Sequence, residues 1–358
     1  MEQMNELGFY TLPGAPKSPQ DLLHEVRKGE ELGLGSCFIS ERFNIKEAVT
    51  LSGAVGAVST NLGIATAATN HNTRHPLVTA SYATTMHRLT GGRFCLGIGR
   101  GIAPLFAAYG MPKITTAQME DFAQVMKRLF AGEVILGHDG PLGKYPVLAL
   151  DPSFSEDIPL GITAFGHNTL ELAGRAFDCV ILHTFFSDET TRRCVKTVKD
   201  AAERAGRDPS KVRVWSCFAT IGDHIAPDLR LKKTVGRLAT YLQGYGDLMV
   251  STNNWDPHVL QRFRDDDFVK SFRGALDGAA NTEQLEHIAS LIPDEWLDSA
   301  AVGSPAQCVQ SIRRQFDLGV DGVILHGATP DELEPIILEY RRTRQAELFK
   351  HLSANPGG

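Results

Sequence analysis

Two adjacent charged residues, Glu41 and Arg42, follow the apolar segment Ser36–Ser40 and are the first candidates for chemistry in this sequence. Arginine stays protonated near neutral pH, so Arg42 cannot act as a general base, but its guanidinium can stabilise a developing oxyanion or hold a carboxylate. The alternative is a structural ion pair between the two side chains. Because two charges would be poorly placed beside apolar neighbours such as Phe38, we expect the pair to act in turnover rather than in folding.

Histidines near the ends of predicted strands are the other candidates, and they are His71, His75, His183 and His326. Metal binding is one interpretation, but no H-x-H pair occurs. His71 and His75 straddle a predicted helix start, so their spacing does not place them on one helix face. We therefore expect no metal site and interpret the histidines as hydrogen-bonding or pocket-facing groups, with His183 as a catalytic candidate beside Glu41 and Arg42.

Short apolar segments must position these side chains, and they alternate along the chain with amphipathic helical patterns. The predicted strands are Leu7–Leu12, Ser36–Ser40, Leu62–Ala68, Arg93–Ile98, Pro159–Ala164, Cys179–His183, Val212–Ile221 and Gly322–His326. Strands buried on both faces and separated by helices predict parallel pairing. Eight such units favour a (β/α)₈ TIM barrel, with an open doubly wound sheet as the alternative. In a barrel, Glu41, Asn70, Arg100, His183 and His326 should all open toward one end.

Two segments exceed the usual loop length of such a unit and are predicted insertions, at about 132–158 and about 222–301. The second contains the helical patterns Leu231–Leu248 and Asn281–Leu291, so we expect a helical cap near one end of the barrel. Residues 1–358 otherwise form a single predicted domain, and only Ser353–Gly358 has a low-complexity composition.

Composition narrows the classes of function. The 358 residues carry a formal net charge of -6 and no concentrated Lys/Arg block, so neither nucleic acid nor a membrane surface is an expected partner. No apolar stretch approaches the roughly 20 residues that span a bilayer, and the six cysteines are scattered singly. We expect a soluble, cytoplasmic protein, a homodimer, with small-molecule partners.

Several familiar motifs are absent, including G-x-S-x-G, H-E-x-x-H and the P-loop. The segment Gly97-Ile98-Gly99-Arg100-Gly101 lacks the third glycine of G-x-G-x-x-G, which argues against a dinucleotide-binding domain. Its glycines either let the backbone approach a flat ring or allow tight packing at a strand end. The small residues Ala67-Ala68-Thr69-Asn70, at the end of another predicted strand, could likewise support a planar ligand.

The segment Asn61–Gly101 contains T-R-H-P at a helix start, then L-T-G-G-R-F in a turn and L-G-I-G-R-G in a strand. In these motifs and in their order it closely resembles the luciferase-like monooxygenase superfamily. Gly161–Gly174 resembles the family's fifth strand and phosphate turn, and Gly303–Ile324 resembles its eighth unit. The resemblance covers most of the chain outside the two insertions, and it implies a barrel that binds coenzyme F420 or, alternatively, FMN.

The resemblance also implies positions for the cofactor. A non-proline cis peptide at Ala67–Ala68 would lie behind the isoalloxazine or deazaflavin ring. The residues implied in cofactor binding are Ala67, Ala68, Thr69, Asn70, Gly97, Ile98, Gly99, Arg100, Ala164, Phe165, Gly166, His167, Asn168, Thr184 and Phe185.

The turn Phe165–Thr169 would bind the cofactor phosphate, because unpaired amides at a helix start favour an anion. His167 and Asn168 stand where the family commonly has Pro-Lys, so a charge contact is missing while the backbone amides remain. The alternative for this turn is an ordinary N-cap formed by the side chain of Asn168 or Thr169.

Two departures from the family bear on the reaction. Ser40-Glu41-Arg42-Phe43 stands where deazaflavin-dependent members commonly have Ser-Asp-His-Phe, so Arg42 replaces the histidine that is often credited with proton abstraction from an alcohol. Ile102 stands where the sugar-phosphate dehydrogenase branch has a glutamate. Both changes favour reduction of a polarised C=C or C=O bond by an F420-dependent oxidoreductase. The alternatives are an FMN-dependent monooxygenase that needs a partner reductase, and a flavin- or deazaflavin-binding barrel without catalysis.

Overall fold

The computed structural model describes residues 2–14, 16–43, 45–151 and 153–358. Its strands are β1 Met4–Tyr10, β2 Leu34–Ile39, β3 Gly63–Thr66, β4 Phe94–Ile98, β5 Ile135–Gly140, β6 Gly143–Leu148, β7 Leu160–Ala164, β8 Cys179–Leu182, β9 Arg213–Gly222, β10 Ala300–Gly303 and β11 Gly322–His326. Each of the predicted strands has a counterpart among them. The first begins earlier than predicted and ends at Tyr10, because Leu12 takes a left-handed φ of 51° that no strand can continue through.

Eight of these strands close into a parallel barrel in the order β1-β2-β3-β4-β7-β8-β9-β11, and β11 pairs back with β1. The predicted (β/α)₈ barrel is confirmed, and the alternative of an open sheet is wrong. The strand β10 adds to the carboxyl end of β9. The first insertion forms an antiparallel hairpin of β5 and β6.

The helices alternate with the barrel strands, and additional helices lie in the second insertion. They are α1 Asp21–Glu31, α2 Ala48–Val58, α3 Pro76–Leu89, α4 Ala103–Ala108, α5 Thr116–Phe130, α6 His167–Ala176, α7 Asp188–Arg204, α8 Pro227–Leu231, α9 Arg237–Asn253, α10 Pro257–Asp265, α11 Asp267–Ser271, α12 Leu276–Ala279, α13 Thr282–Ala289, α14 Asp294–Leu297, α15 Pro305–Asp317 and α16 Pro330–Arg342. A π-helical turn, Lys232–Gly236, precedes α9. Across the described residues, no helix is long and apolar enough to cross a membrane.

Local sequence explains several helix starts. Ser304 caps α15 in a capping box with Gln307, and Pro305 occupies the first helical position, where its missing N–H has no cost. His75 is the N-cap of α3, where its side chain accepts a hydrogen bond from the Leu77 N–H, and Pro76 follows at the first helical position. The crossover helices therefore begin where the sequence predicts.

The barrel interior and the second insertion have separate apolar clusters. The interior is filled by Phe38, Ala65, Ala67, Cys95, Cys179, Ile181, Trp215, Cys217 and Ile324. The helices between residues 222 and 301 pack around their own cluster, which includes Leu238, Leu242 and Phe263 and extends to Phe185 and Ala219 of the barrel. The insertion thus shares apolar contacts with the strand ends.

The last residues close the amino-terminal end of the barrel. Asn355 Nδ2 donates to the carbonyls of Gly92 at 2.7 Å and Phe94 at 2.9 Å, and Trp215 Nε1 donates to the Pro356 carbonyl at 2.8 Å. The Arg213 guanidinium lies 4.3 Å from the Trp215 ring centroid and donates to several carbonyls of the same tail. A segment of low-complexity composition is thereby fixed by hydrogen bonds to strand starts.

Replacing Asn355 by alanine should destabilise the fold, because it leaves two carbonyls at the barrel end without their donor. We expect a loss of about 2 kcal/mol in the free energy of unfolding, measured by urea denaturation. Lys350→Ala is the matched control, since Lys350 is exposed and its ion pair with Glu347 contributes little. Equal losses in the two variants would show that the tail does not support the barrel.

Candidate functional site

The candidate residues lie at one end of the barrel, as predicted. Glu41 follows β2, Asn70 follows β3, Arg100 follows β4, His183 follows β8 and His326 ends β11. Because all eight barrel strands run parallel, these positions share the carboxyl-terminal rim, where the active sites of this architecture are found.

Glu41 organises the loop that follows β3. Its side chain is only 3% exposed, and its oxygens accept hydrogen bonds from Thr69 Oγ1 at 2.9 Å, Asn70 Nδ2 at 2.8 Å and Arg74 Nη2 at 3.0 Å. Arg74 also contacts Glu47. Glu41 is therefore held in an ion pair with Arg74, and the structural pair considered between Glu41 and Arg42 is wrong.

Arg42 points elsewhere, toward the loop after β1. One of its terminal nitrogens donates to the Gly14 carbonyl, while its buried Nε has no hydrogen-bond partner in the described part of the chain. Burial and the nearby Arg237 lower the pKa of Arg42, yet arginine remains a cation near neutral pH. Glu41 and Arg42 are adjacent in sequence, but Glu41 contacts the loop after β3 and Arg42 contacts the loop after β1.

The peptide bond between Ala67 and Ala68 is cis, as the resemblance implies. The Tyr10 hydroxyl donates to the Ala67 carbonyl at 3.0 Å. The side chains of Thr69 and Asn70 are both committed to Glu41, and Asn70 Oδ1 also accepts the N–H groups of Asn72 and Thr73. This loop is fixed by its own hydrogen bonds.

The glycines at the end of β4 and just after it are explained by packing. A Cβ on Gly97 would overlap the Thr66 carbonyl oxygen, and one on Gly99 would overlap Thr163 Oγ1. Gly101 has a φ of 64°, and a Cβ there would meet the Phe106 ring. Of the two interpretations of this segment, tight packing at a strand end accounts for all three positions.

A cavity of about 310 Å³ opens at the start of α6 and is lined by Arg100, Thr116, Gly166, His167, Asn168 and Thr169. Gly166 is the N-cap of α6 and provides no side-chain cap. Its carbonyl accepts the N–H groups of Thr169 and Leu170, so the amides of His167 and Asn168 have no partner among the described residues. The alternative of an N-cap formed by Asn168 or Thr169 is wrong.

Arg100 brings a positive charge to this cavity. Its guanidinium donates to the Ile114 carbonyl at 3.0 Å and to Thr116 Oγ1 at 2.5 Å, and burial lowers its pKa without removing its charge near neutral pH. Asn168 carries no charge, so the cation at this cavity comes from the neighbouring strand end. Sequence reasoning missed Thr116, although the Thr115-Thr116 pair at a helix start was a visible signal.

His183 is held as a neutral imidazole. Its Nδ1 lies 2.9 Å from the Thr184 carbonyl and must carry the proton, so its Nε2 accepts the Tyr245 hydroxyl at 3.0 Å. Burial lowers the pKa of His183 to about 4. The ring also contacts Phe165 and Tyr241, at centroid distances of 4.6 Å and 4.8 Å. Sequence reasoning missed Tyr241 and Tyr245, which stand four residues apart in a predicted helix.

The side chains of the remaining cofactor candidates are buried. Ile98 and Ala164 belong to the core between strands and helices, and Phe185 belongs to the core of the second insertion. Thr184 Oγ1 lies 3.1 Å from Cys217 Sγ. Only the backbone of these residues could contact a ligand. Within the described ranges, no group of three or more His, Cys, Asp or Glu side chains could hold a metal ion.

Known proteins are similar to this chain in sequence and in fold. The model of the luciferase-like monooxygenase family matches residues 6–322. The chain is 25% identical over 311 residues to a 5,10-methylenetetrahydromethanopterin reductase of Methanolobus tindarius, covering 85% of this chain and 89% of that protein. It is 28% identical over 308 residues to a phthiodiolone/phenolphthiodiolone dimycocerosates ketoreductase of Mycobacterium tuberculosis, covering 84% and 79% respectively.

Among solved structures, the coenzyme F420 dependent tetrahydromethanopterin reductase from Methanopyrus kandleri superposes with a TM-score of 0.78 at 18% sequence identity. The superposition covers 95% of this chain and 98% of that chain. This similarity concerns the fold, whereas the family match extends over most of the sequence. The chain therefore belongs to the luciferase-like monooxygenase family and is an oxidoreductase.

Proposed function

We propose that this protein is a coenzyme F420-dependent oxidoreductase that reduces a polarised C=C or C=O bond of a small organic substrate. The two relatives described above are named as reductases, and the solved structure with the same fold is that of a coenzyme F420 dependent reductase. The replacement of the usual histidine by Arg42 supports reduction over alcohol oxidation, because arginine cannot take up a proton.

The cavity at α6 carries the proposal. The free amides of His167 and Asn168 lie at the positive end of the helix dipole, and the Arg100 guanidinium lines the same cavity. Two independent sources of positive potential thus meet where the cofactor phosphate would bind. The residues present fit a phosphate-bearing cofactor.

When bound, the deazaflavin would exchange hydride at its C5, and the protein would provide position, electrostatics and exclusion of water. The loop Ala67–Asn70 would support the ring, with Glu41 and Tyr10 as positioning residues that fix this loop through hydrogen bonds. His183 is neutral near pH 7, so we assign it a positioning role through Tyr245 rather than the role of a general acid.

Cofactor preference separates the proposal from its main rival on the same fold, an FMN-dependent monooxygenase. We expect purified protein to bind F420 with a dissociation constant well below that for FMN, as measured by fluorescence titration or calorimetry. Anaerobic consumption of reduced F420 with a carbonyl or enone substrate should follow. Tight binding of FMN with none of F420 would support the monooxygenase instead, and F420 binding without turnover on any substrate would support a barrel without catalysis.

Gly166→Asp should weaken F420 binding without damaging the fold. A Cβ at Gly166 meets nothing closer than 4.0 Å and its φ is -94°, so a side chain fits and an aspartate can cap α6. The added carboxylate would repel the cofactor phosphate, and we expect the dissociation constant for F420 to rise on the order of tenfold or more.

Gly166→Asn is the matched control for that variant, since it caps the same amides without a charge. We expect both variants to melt no lower than the parent and the asparagine variant to lose less affinity. If Gly166→Asp binds F420 as tightly as the parent, the phosphate lies elsewhere.

A further inference from the structure

Arg42 has an unusual electrostatic environment. No carboxylate oxygen within the described residues lies within 4.0 Å of its guanidinium, whereas its neighbour Glu41 is paired with Arg74. Its hydrogen bonds among the described residues are to the Gly14 carbonyl and, through the backbone, to Ile45 and Lys46, and its buried Nε has no partner there. A buried donor left unsatisfied on a half-buried cation is costly.

Two more cations surround the same loop. Lys46 is 5% exposed, and its Nζ donates to the carbonyls of Thr11 at 2.9 Å and Leu12 at 3.1 Å. Arg237 comes from α9, and its Nη2 would lie 3.6 Å from a Cβ placed on Gly14. We refer to Arg42, Lys46 and Arg237 as the basic cluster.

The acids nearby balance this cluster only in part. Asp277 pairs with Arg237 at 2.7 Å, and in the described part of the chain neither Arg42 nor Lys46 forms an ion pair. Glu25 lies near Lys46, but its carboxylate accepts the Leu12 N–H, and burial raises its pKa to about 7. Burial, with a further contribution from Arg42, lowers the pKa of Lys46 to about 7. Arg42 therefore keeps its positive charge with no carboxylate of the described residues at ion-pair distance, although the more distant Asp277 acts to raise its pKa.

The proposed cofactor phosphate is not placed beside Arg42, because neither Arg42 nor its partner Gly14 lines the α6 cavity. Arg42 follows β2 and Gly14 follows β1, whereas the cavity lies after β4 and β7, between two and four strand positions further round the ring. The positive charge of Arg42 is therefore not assigned to the cofactor phosphate.

We propose that Arg42 binds a carboxylate of the substrate, with Lys46, in its protonated form, adding to the local positive potential. The planar guanidinium matches a carboxylate in geometry as well as charge. The substrate class is then a small unsaturated or carbonyl-containing carboxylic acid. This inference rests on the proposed function for the reaction, but its binding test does not.

The test uses acids and their primary amides, which share a shape and differ in charge. The probes are cinnamate with cinnamamide and pyruvate with pyruvamide, titrated by calorimetry into the protein with and without F420. We expect at least one acid to bind on the order of tenfold more tightly than its amide. Arg42→Gln should remove this preference, and Arg42→Lys, which keeps the charge, should retain part of it.

Arg27→Gln is the matched control, because Arg27 is exposed on α1 and the substitution changes the net charge equally. It should leave the preference unchanged, and melting temperatures should show that each variant is folded. The inference is overturned if the acids bind no more tightly than their amides in every pair, or if the preference survives in Arg42→Gln. Failure of F420 to bind the parent protein would instead contradict the proposed function, and the cofactor-free titrations would still report on Arg42.

Discussion

Closure of the barrel through the pairing of β11 with β1 is the constraint on which the site depends. With eight parallel strands in one ring, every strand ends at the same rim, so residues far apart in sequence become neighbours there. The carboxyl-terminal tail covers the opposite end of the barrel, where Asn355 and Pro356 form hydrogen bonds with it. The candidate residues all lie at the other end, on this rim.

Charge compensation divides the rim into two kinds of region. Glu41 and Arg74 neutralise each other and fix the loop after β3, so their charges serve the structure. Among the described residues, Arg100 at the α6 cavity and Arg42 near Gly14 have no such acid partner. These two cations follow different strands, β4 and β2, so a phosphate-bearing cofactor and an acidic substrate would not compete for the same charge.

The sequence predicts the framework well because hydrophobic period, helix caps and turn residues are local properties. Neighbouring residues determine the series of strands and the Ser304 cap of α15. They also determine that α6 begins without a side-chain cap. The partner of Glu41 could not be predicted in this way, because Arg74 is 33 residues away and meets it only through strand pairing. The same holds for Arg213 with the tail, and for Tyr245 with His183, which lie 62 residues apart. The family resemblance located the cis peptide, which no local pattern would have indicated.

We propose that the α6 cavity holds the phosphate of a deazaflavin cofactor, and a crystal structure of the protein with F420 would locate that phosphate. We expect phosphate density within hydrogen-bonding distance of the His167 and Asn168 amides and of Arg100. Phosphate density at any other part of the rim, with the cavity at α6 filled only by solvent, would contradict it.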